Sequence, residues 1–242
     1  QQLTVPNGTT SLPALVESLG FAFATTSYRE NGLAILTGAD DVRELVAAYR
    51  AAHGTPKQTY LVGASEGGLI TTLLTERSPD LFSGAVAACG PIGDFPSQLN
   101  YFGDFRVLFD YFFPGVIPGN TIDVPQFVID NWQRVYVPAV TRALQANPAA
   151  AQQLIATSKA AIDPADPTTI VTTAVDVLGY NILATNDAIK KLGGSPFDNH
   201  TRWYWGSSND LLLNILVRRF TASPTALANM VPYQTSGNLT IP

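Results

Sequence analysis

The sequence predicts an α/β fold that combines a mostly parallel sheet and crossover helices with a largely helical cap insertion. Two observations lead to this prediction. Within residues 1–94, short apolar runs alternate with helical segments across short turns, which is typical of parallel strands joined by helices. Within residues 95–232, no convincing strand is found and helix-forming stretches dominate.

The first predicted elements are a short helix and a short strand. Thr10 or Ser11 can cap a helix through residues 15–19, which stops at Gly20. The apolar run 21–27 follows and is predicted to be a strand.

A second helix is predicted to open at Asp40 and Asp41, because acidic side chains are favourable at the positive end of a helix dipole. Val42, Leu45, Val46 and Tyr49 then recur at the spacing of one buried helical face. Residues 59–62 are predicted to be the next strand, residues 67–77 a helix and residues 83–88 a further strand.

The turn between residues 62 and 67 has the pattern Gly-x-Ser-x-Gly, formed by Gly63, Ser65 and Gly67. A turn this sharp between a strand and a helix forces the serine into a strained conformation and projects its hydroxyl outward. We expect the two glycines to avoid Cβ collisions with the neighbouring strand and helix. The backbone N–H of Glu66 would lie at a helix N-terminus, where it can donate to an oxyanion. The alternative interpretation is a plain tight turn.

At these residues the chain resembles the α/β-hydrolases, serine hydrolases of the esterase or lipase kind. In this family the strand, Gly-x-Ser-x-Gly turn and helix form the nucleophile elbow. Residues 20–29 resemble the strand before the helix–strand unit of the elbow, residues 85–91 the strand after the elbow helix, and the following segment resembles a cap insertion. The resemblance implies a serine hydrolase that cleaves a carboxylic ester through an acyl-enzyme on Ser65, without a cofactor. The expected partner is a small, apolar ester substrate.

The chain also departs from the family pattern. The family's first strands and the strands that carry its acid and histidine find no counterpart, so we expect residues 1–94 to be part of a core, 95–232 a cap, and 233–242 the return to the core. A missing segment, or a second chain of the same protein, would complete it. The alternative is a catalytically incomplete fragment, or a dead hydrolase fold that serves as a binding module. A cofactor-binding α/β domain is disfavoured, because no Gly-x-Gly-x-x-Gly follows a strand.

The remaining catalytic candidates each have a structural alternative. Asp94 follows the strand after the elbow and is a candidate acid or a helix-capping residue. His200 is a candidate base or a surface histidine of the cap, whereas His53 is expected at the opposite edge of the sheet from Ser65. Tyr28 and Arg29 end a predicted strand and either line the pocket or close a loop.

The predicted cap contains helical stretches at residues 127–144, 149–162, 168–184 and 210–220. We interpret it as a lid over the site; the alternative is an ordinary helical subdomain without a gating role.

The composition limits the function classes. Hydrophobic residues make up 46% and charged residues 14% of the chain, and the net charge of −5 argues against nucleic acid and against an anionic membrane surface. No apolar run is long enough to span a membrane. The Asp40–Asp41 pair is too short for a metal site and no Cys/His cluster exists, so no catalytic metal is expected.

Cysteine and sequon positions bear on the compartment. Cys89 is the single cysteine, so no disulfide forms within the chain, and its place after an apolar run predicts a buried thiol. Asn-x-Thr sequons at Asn7, Asn199 and Asn238 favour a secreted or periplasmic protein.

Overall fold

The computed structural model describes residue 4 and residues 10–230, and it is largely helical, at 56%. Its sheet consists of two parallel strands, β1 (Tyr60–Ala64) and β2 (Gly84–Ala88). The predicted mostly parallel sheet with crossover helices is therefore wrong for the described residues. The predicted strand at 21–27 is irregular, because a strand needs a partner for its backbone hydrogen bonds and residues 21–27 join no ladder.

The described chain divides into two compact units, residues 10–90 and residues 91–230. The helices of the first unit are α1 (Leu12–Ser18), α2 (Ile35–His53) and α3 (Glu66–Arg77). Ser11 caps α1 by accepting the N–H of Ala14, as one of the two predicted caps.

Helix α2 begins five residues before its predicted start at Asp40. The carboxylate of Glu66 accepts the backbone N–H of Ala34, the residue that precedes the first turn of α2. Gly38, which precedes the predicted start of the helix, lies inside α2, where a Cβ would come within 2.9 Å of Ile70 Cδ1 and 3.2 Å of the Tyr28 ring. Tertiary contacts therefore place the start of α2, and no local signal encodes them.

The two strands pair in register from Tyr60 opposite Gly84 to Ala64 opposite Ala88. Helix α3 packs on them through a small core that includes Ile70, Leu73 and Leu74. The opposite face is open: Val62 is 67% and Val86 59% exposed.

The second unit is a set of helices around one large apolar core. Its helices are α4 (Phe95–Phe112), α5 (Gln126–Asp130), a π-helical turn (Trp132–Tyr136), α6 (Val137–Ala146), α7 (Pro148–Ser158), α8 (Thr169–Leu192), α9 (Asp210–Leu216) and α10 (Pro224–Asn229). The core draws on most of these helices, with Phe105, Leu108, Phe109, Leu154, Leu178 and Leu213 fully buried. Residues 127–144, predicted as one helix, are divided among α5, the π-helical turn and α6.

The sequence offered Asp94 as a helix cap, which it is, but the length of helix α4 was not predicted, because the helix contains aromatic residues and Gly103 rather than strong helix formers. The glycine has a packing role. A Cβ at Gly103 would lie 2.1 Å from the Phe197 ring, so only glycine permits the ring to sit against the helix.

A buried polar network ties α4 to the segment before α9. Asp104 on α4 accepts a 2.6 Å hydrogen bond from the Tyr204 hydroxyl and is ion-paired with Arg202. Asn199 is almost fully buried and donates to the Tyr204 oxygen at 3.0 Å. Burial raises the pKa of Asp104 to about 6, although Tyr204 and Arg202 act in the opposite direction.

The titration of Asp104 should make stability fall as the pH rises from about 4 to 6. With a raised pKa, the folded protein keeps the Asp104 proton at pH values where the unfolded chain has lost it, which favours folding at the acid end. The full loss is about 3 kcal/mol. Urea unfolding followed by tryptophan emission measures it, since Trp132, Trp203 and Trp205 all lie in the second unit.

The Asp104→Asn variant removes this titration and is the reference. As the pH rises from 4 to 6, the unfolding free energy of the wild type should fall relative to that of the variant. Parallel pH profiles for the two proteins would contradict the raised pKa.

Candidate active site around Ser65

Ser65 lies between β1 and α3 with a strained backbone. Its φ is 54° and its ψ is −125°, outside both the right-handed and the left-handed helical regions. The N–H of Ser65 donates to the carbonyl of Ala88 on the neighbouring strand at 2.9 Å, which holds the turn on the sheet. The predicted order of strand, turn and helix is confirmed here, and the serine side chain is exposed.

The sequence folds this way because Gly63 lets the strand pass close to the first turns of α3. A Cβ on Gly63 would lie 2.1 Å from the carbonyl oxygen of Gly67 and 2.5 Å from Oγ1 of the buried Thr71. Both distances are far inside van der Waals contact, so any other residue would push the helix away from the strand.

The other glycines of the turn differ from expectation. A Cβ on Gly67 would meet no atom within 4 Å, so the steric role predicted for Gly67 is wrong. Gly68 carries that role, since its Cβ would lie 2.9 Å from the Ala88 oxygen and 3.0 Å from Gly90. The position of Gly68, directly after the Gly-x-Ser-x-Gly motif, was the sequence signal that could have predicted this steric role.

Glu66 has two separable parts. Its backbone is the first residue of α3, where N–H groups have no acceptor within the helix. Its carboxylate accepts a hydrogen bond from the N–H of Ala34 and thereby connects the turn at Ser65 to the start of α2. The backbone role predicted for Glu66 remains available, and the carboxylate has a structural partner.

Tyr28 and Arg29 both contact α2. Burial is the main cause of a raised pKa at Tyr28, and the negative charges of Glu66 and Asp41 raise it further. Arg29 donates from its backbone to Asp41 at 2.8 Å and from its guanidinium to Asp41 at 2.5 Å and to Glu44 at 2.7 Å. Arg29 therefore clamps the loop onto α2, while a pocket role for either residue stays a prediction.

Cys89 follows β2 as Ser65 follows β1, at the same edge of the sheet. It also has a positive φ, of 52°, and its side chain is exposed. The prediction of a buried thiol is wrong, because the strand run that precedes it is itself exposed rather than covered.

The candidate acid and bases have other contacts. Asp94 belongs to the second unit, where it caps α4 by accepting the Ser97 N–H at 3.2 Å and the Ser97 hydroxyl at 2.6 Å, and this lowers its pKa. His200, also in the second unit, is exposed, and its backbone N–H bonds to Asp198. His53 ends α2 and packs on Tyr49.

Within residues 10–230, no side chain forms a hydrogen bond with the Ser65 hydroxyl. The same part of the chain contains no group of three or more His, Cys, Asp or Glu side chains placed to hold a metal ion. Among its helices, none combines the length and the apolar character needed to cross a bilayer.

The sequon at Asn199 is not accessible. Its amide donates to the Tyr204 oxygen and the Arg218 carbonyl and accepts the N–H of Phe220 at 2.6 Å, all in a buried position. Asn7, Asn238 and the predicted return to the core at 233–242 lie outside the described residues. The sequon at Asn199 therefore gives no support to the expectation of secretion.

Comparisons with known proteins found no matching family model, curated protein or solved structure.

Alanine substitutions at the two motif glycines should have opposite effects. Gly63→Ala should destabilise the first unit by at least about 2 kcal/mol, because the new methyl overlaps backbone of α3. Gly67→Ala places its methyl in open space within a helix and should stabilise α3 by up to about 1 kcal/mol. Hydrogen exchange of peptides covering residues 60–77 measures both, and equal effects at the two positions would contradict this geometry.

Proposed function

We propose that this chain carries the nucleophile of a serine hydrolase that cleaves carboxylic esters. The observation that supports the proposal most is the positive φ of Ser65 at the junction of a parallel strand and a helix N-terminus. Strain of this kind costs of the order of 1–3 kcal/mol and usually persists at functional sites. A turn without a chemical task could place glycine at residue 65 and avoid the cost.

In the proposed reaction the Ser65 oxygen attacks the ester carbonyl carbon, the alcohol leaves, and an acyl-enzyme forms. Water then attacks the acyl-enzyme and releases the acid. Backbone N–H groups at the start of α3, with that of Glu66 foremost, stabilise the negative oxygen of the tetrahedral intermediate. The exposed serine at the carboxyl edge of the strands gives a substrate access to this position.

A second candidate function is a binding module built on a hydrolase-like elbow. The observation in its favour is that no side chain of residues 10–230 accepts a hydrogen bond from the Ser65 hydroxyl, and a serine hydroxyl without a base is a poor nucleophile. Under this proposal the turn is retained for binding alone; the related alternative is an incomplete fragment, for which a partner segment or second chain would supply the base and acid.

A fluorophosphonate probe separates the two candidates. We expect it to label Ser65 in the native protein and to leave the Ser65→Ala variant unlabelled, with peptide mapping to locate the adduct. Ser78→Ala, at the other end of α3, is the matched control and should label as the wild type does. Native protein with intact α3 that fails to label at residue 65 would favour the binding module.

The two roles considered for Asp94 separate in the Asp94→Asn variant. Asparagine caps a helix about as well as aspartate, so α4 should keep its helicity, as measured by hydrogen exchange at residues 95–100. We expect the rate of probe labelling at Ser65 to be unchanged. A large fall in labelling with α4 intact would assign Asp94 to the catalytic acid.

A further inference from the structure

Helix α9 and the segment before it present an unusually apolar surface. Six large apolar side chains are exposed there: Trp203 and Trp205, Leu211 and Leu212, and Ile215 and Leu216. The exposed fraction is 60% for Trp205, 62% for Leu211, 66% for Ile215 and 61% for Leu216. We refer to these six residues as the α9 patch.

The patch is continuous. On α9, Leu213 and Asn214 face inward, so the four exposed residues form the outer face of the same helix. The Asn214 side chain donates to the carbonyl of Tyr204 at 2.7 Å and accepts the N–H of Tyr204, which joins the two tryptophans to the helix. Their rings lie 5.6 Å apart.

The patch is held on a rigid base. Tyr204, between the two exposed tryptophans, is buried and donates a hydrogen bond from its hydroxyl to Asp104. Leu213 is fully buried in the core of the second unit, and Val217 is buried after it. A helix that is apolar on all sides is usually covered on all sides, so this exposed face indicates a binding surface rather than ordinary surface variation.

The charges beside the patch are mainly positive, in contrast to the whole chain. Between residues 200 and 220 the acidic side chain is Asp210, against Arg218 and Arg219, whereas the charge of Arg202 is paired with Asp104. Asp210 accepts hydrogen bonds from Ser207 and Gly206, which lower its pKa, so it keeps its negative charge within this mainly positive surround. Lys159 donates to the carbonyl of Trp205 at 3.5 Å and adds a further cation at the rim.

We propose that the α9 patch docks on the surface of an anionic phospholipid bilayer. Leucine and isoleucine side chains enter the acyl boundary, and the two tryptophans lie at the level of the headgroups. Arg218, which is exposed and follows α9, and Lys159 face the negative headgroups. This surface involves no residue of the proposed hydrolase site.

Vesicle binding tests the proposal through the tryptophans themselves. With vesicles of equimolar phosphatidylcholine and phosphatidylglycerol, we expect the tryptophan emission to shift to shorter wavelength and the protein to sediment with the lipid. Trp132 is buried and contributes a constant background. Phosphatidylcholine alone should bind more weakly, and added salt should weaken binding to the anionic vesicles.

The double variant Leu211→Ser/Ile215→Ser should lower the partition constant by more than about tenfold. Two large apolar side chains that the wild type transfers from water into the bilayer are absent from the variant. Leu36→Ser, at an equally exposed leucine of the first unit, is the matched control and should bind as the wild type does. Arg218→Gln should reduce the preference for anionic over neutral lipid.

Three results would overturn the proposal. These are no binding by the wild type, equal binding by the double variant, or self-association in the absence of lipid that the double variant abolishes. The last result would assign the patch to contact between copies of this chain. Near-ultraviolet circular dichroism from buried Trp132 shows whether the double variant has kept the fold of the second unit.

Discussion

The close passage of β1 over the first turns of α3 at Gly63 determines the rest of the candidate site. Because a Cβ at this position would lie 2.1 Å from the Gly67 oxygen, the strand and helix are nearer than two ordinary residues allow. The chain must then reverse within one residue, and Ser65 takes the positive φ that this requires. Gly68 repeats the arrangement against β2, so both strands contact the helix through glycine. The exposed serine follows from backbone packing rather than from any interaction of its own side chain.

The elements that depend on local signals were predicted correctly from the sequence. The elements whose bounds are set by tertiary contacts were not. The strand, turn and helix around Ser65 carry their own glycine and apolar pattern, and the structure has them in place. The start of α2 depends on a hydrogen bond from Ala34 to Glu66, 32 residues away, which leaves no trace in the local pattern. Helix α4 has weak helix formers and is held by aromatic packing, including the contact of Phe197 with Gly103.

The fold class was wrong for a related reason. Alternation of apolar runs and helices predicts strands, but a run becomes a strand only when another strand pairs with it. Residues 21–27 have the composition of a strand and no paired neighbour, and the exposed Cys89 likewise shows a sheet edge that is not covered. Composition can report that a segment is suited to a sheet, whereas the number of strands is a property of the assembled fold. Any acid and base that served Ser65 would be beyond sequence reasoning for the same reason, because their positions would depend on which loops the fold brings together.

The two units differ in how much burial supports them, and this difference bears on the serine. The second unit has a large apolar core and a buried polar network around Asp104. The first unit stores backbone strain at Ser65 and Cys89 but buries little beyond Ile70, Leu73 and Leu74 and their neighbours. Parallel sheets are normally covered on both faces, and two strands alone give marginal stability. Within residues 10–90 the strained turn is held by the close passage of β1 against α3 at Gly63, by that of α3 against β2 at Gly68, and by the hydrogen bond from the Ser65 N–H to Ala88. Opening of the β1–β2 pair would break the hydrogen bond from the Ser65 N–H to the Ala88 carbonyl, so the geometry of the serine depends on the stability of this two-strand sheet.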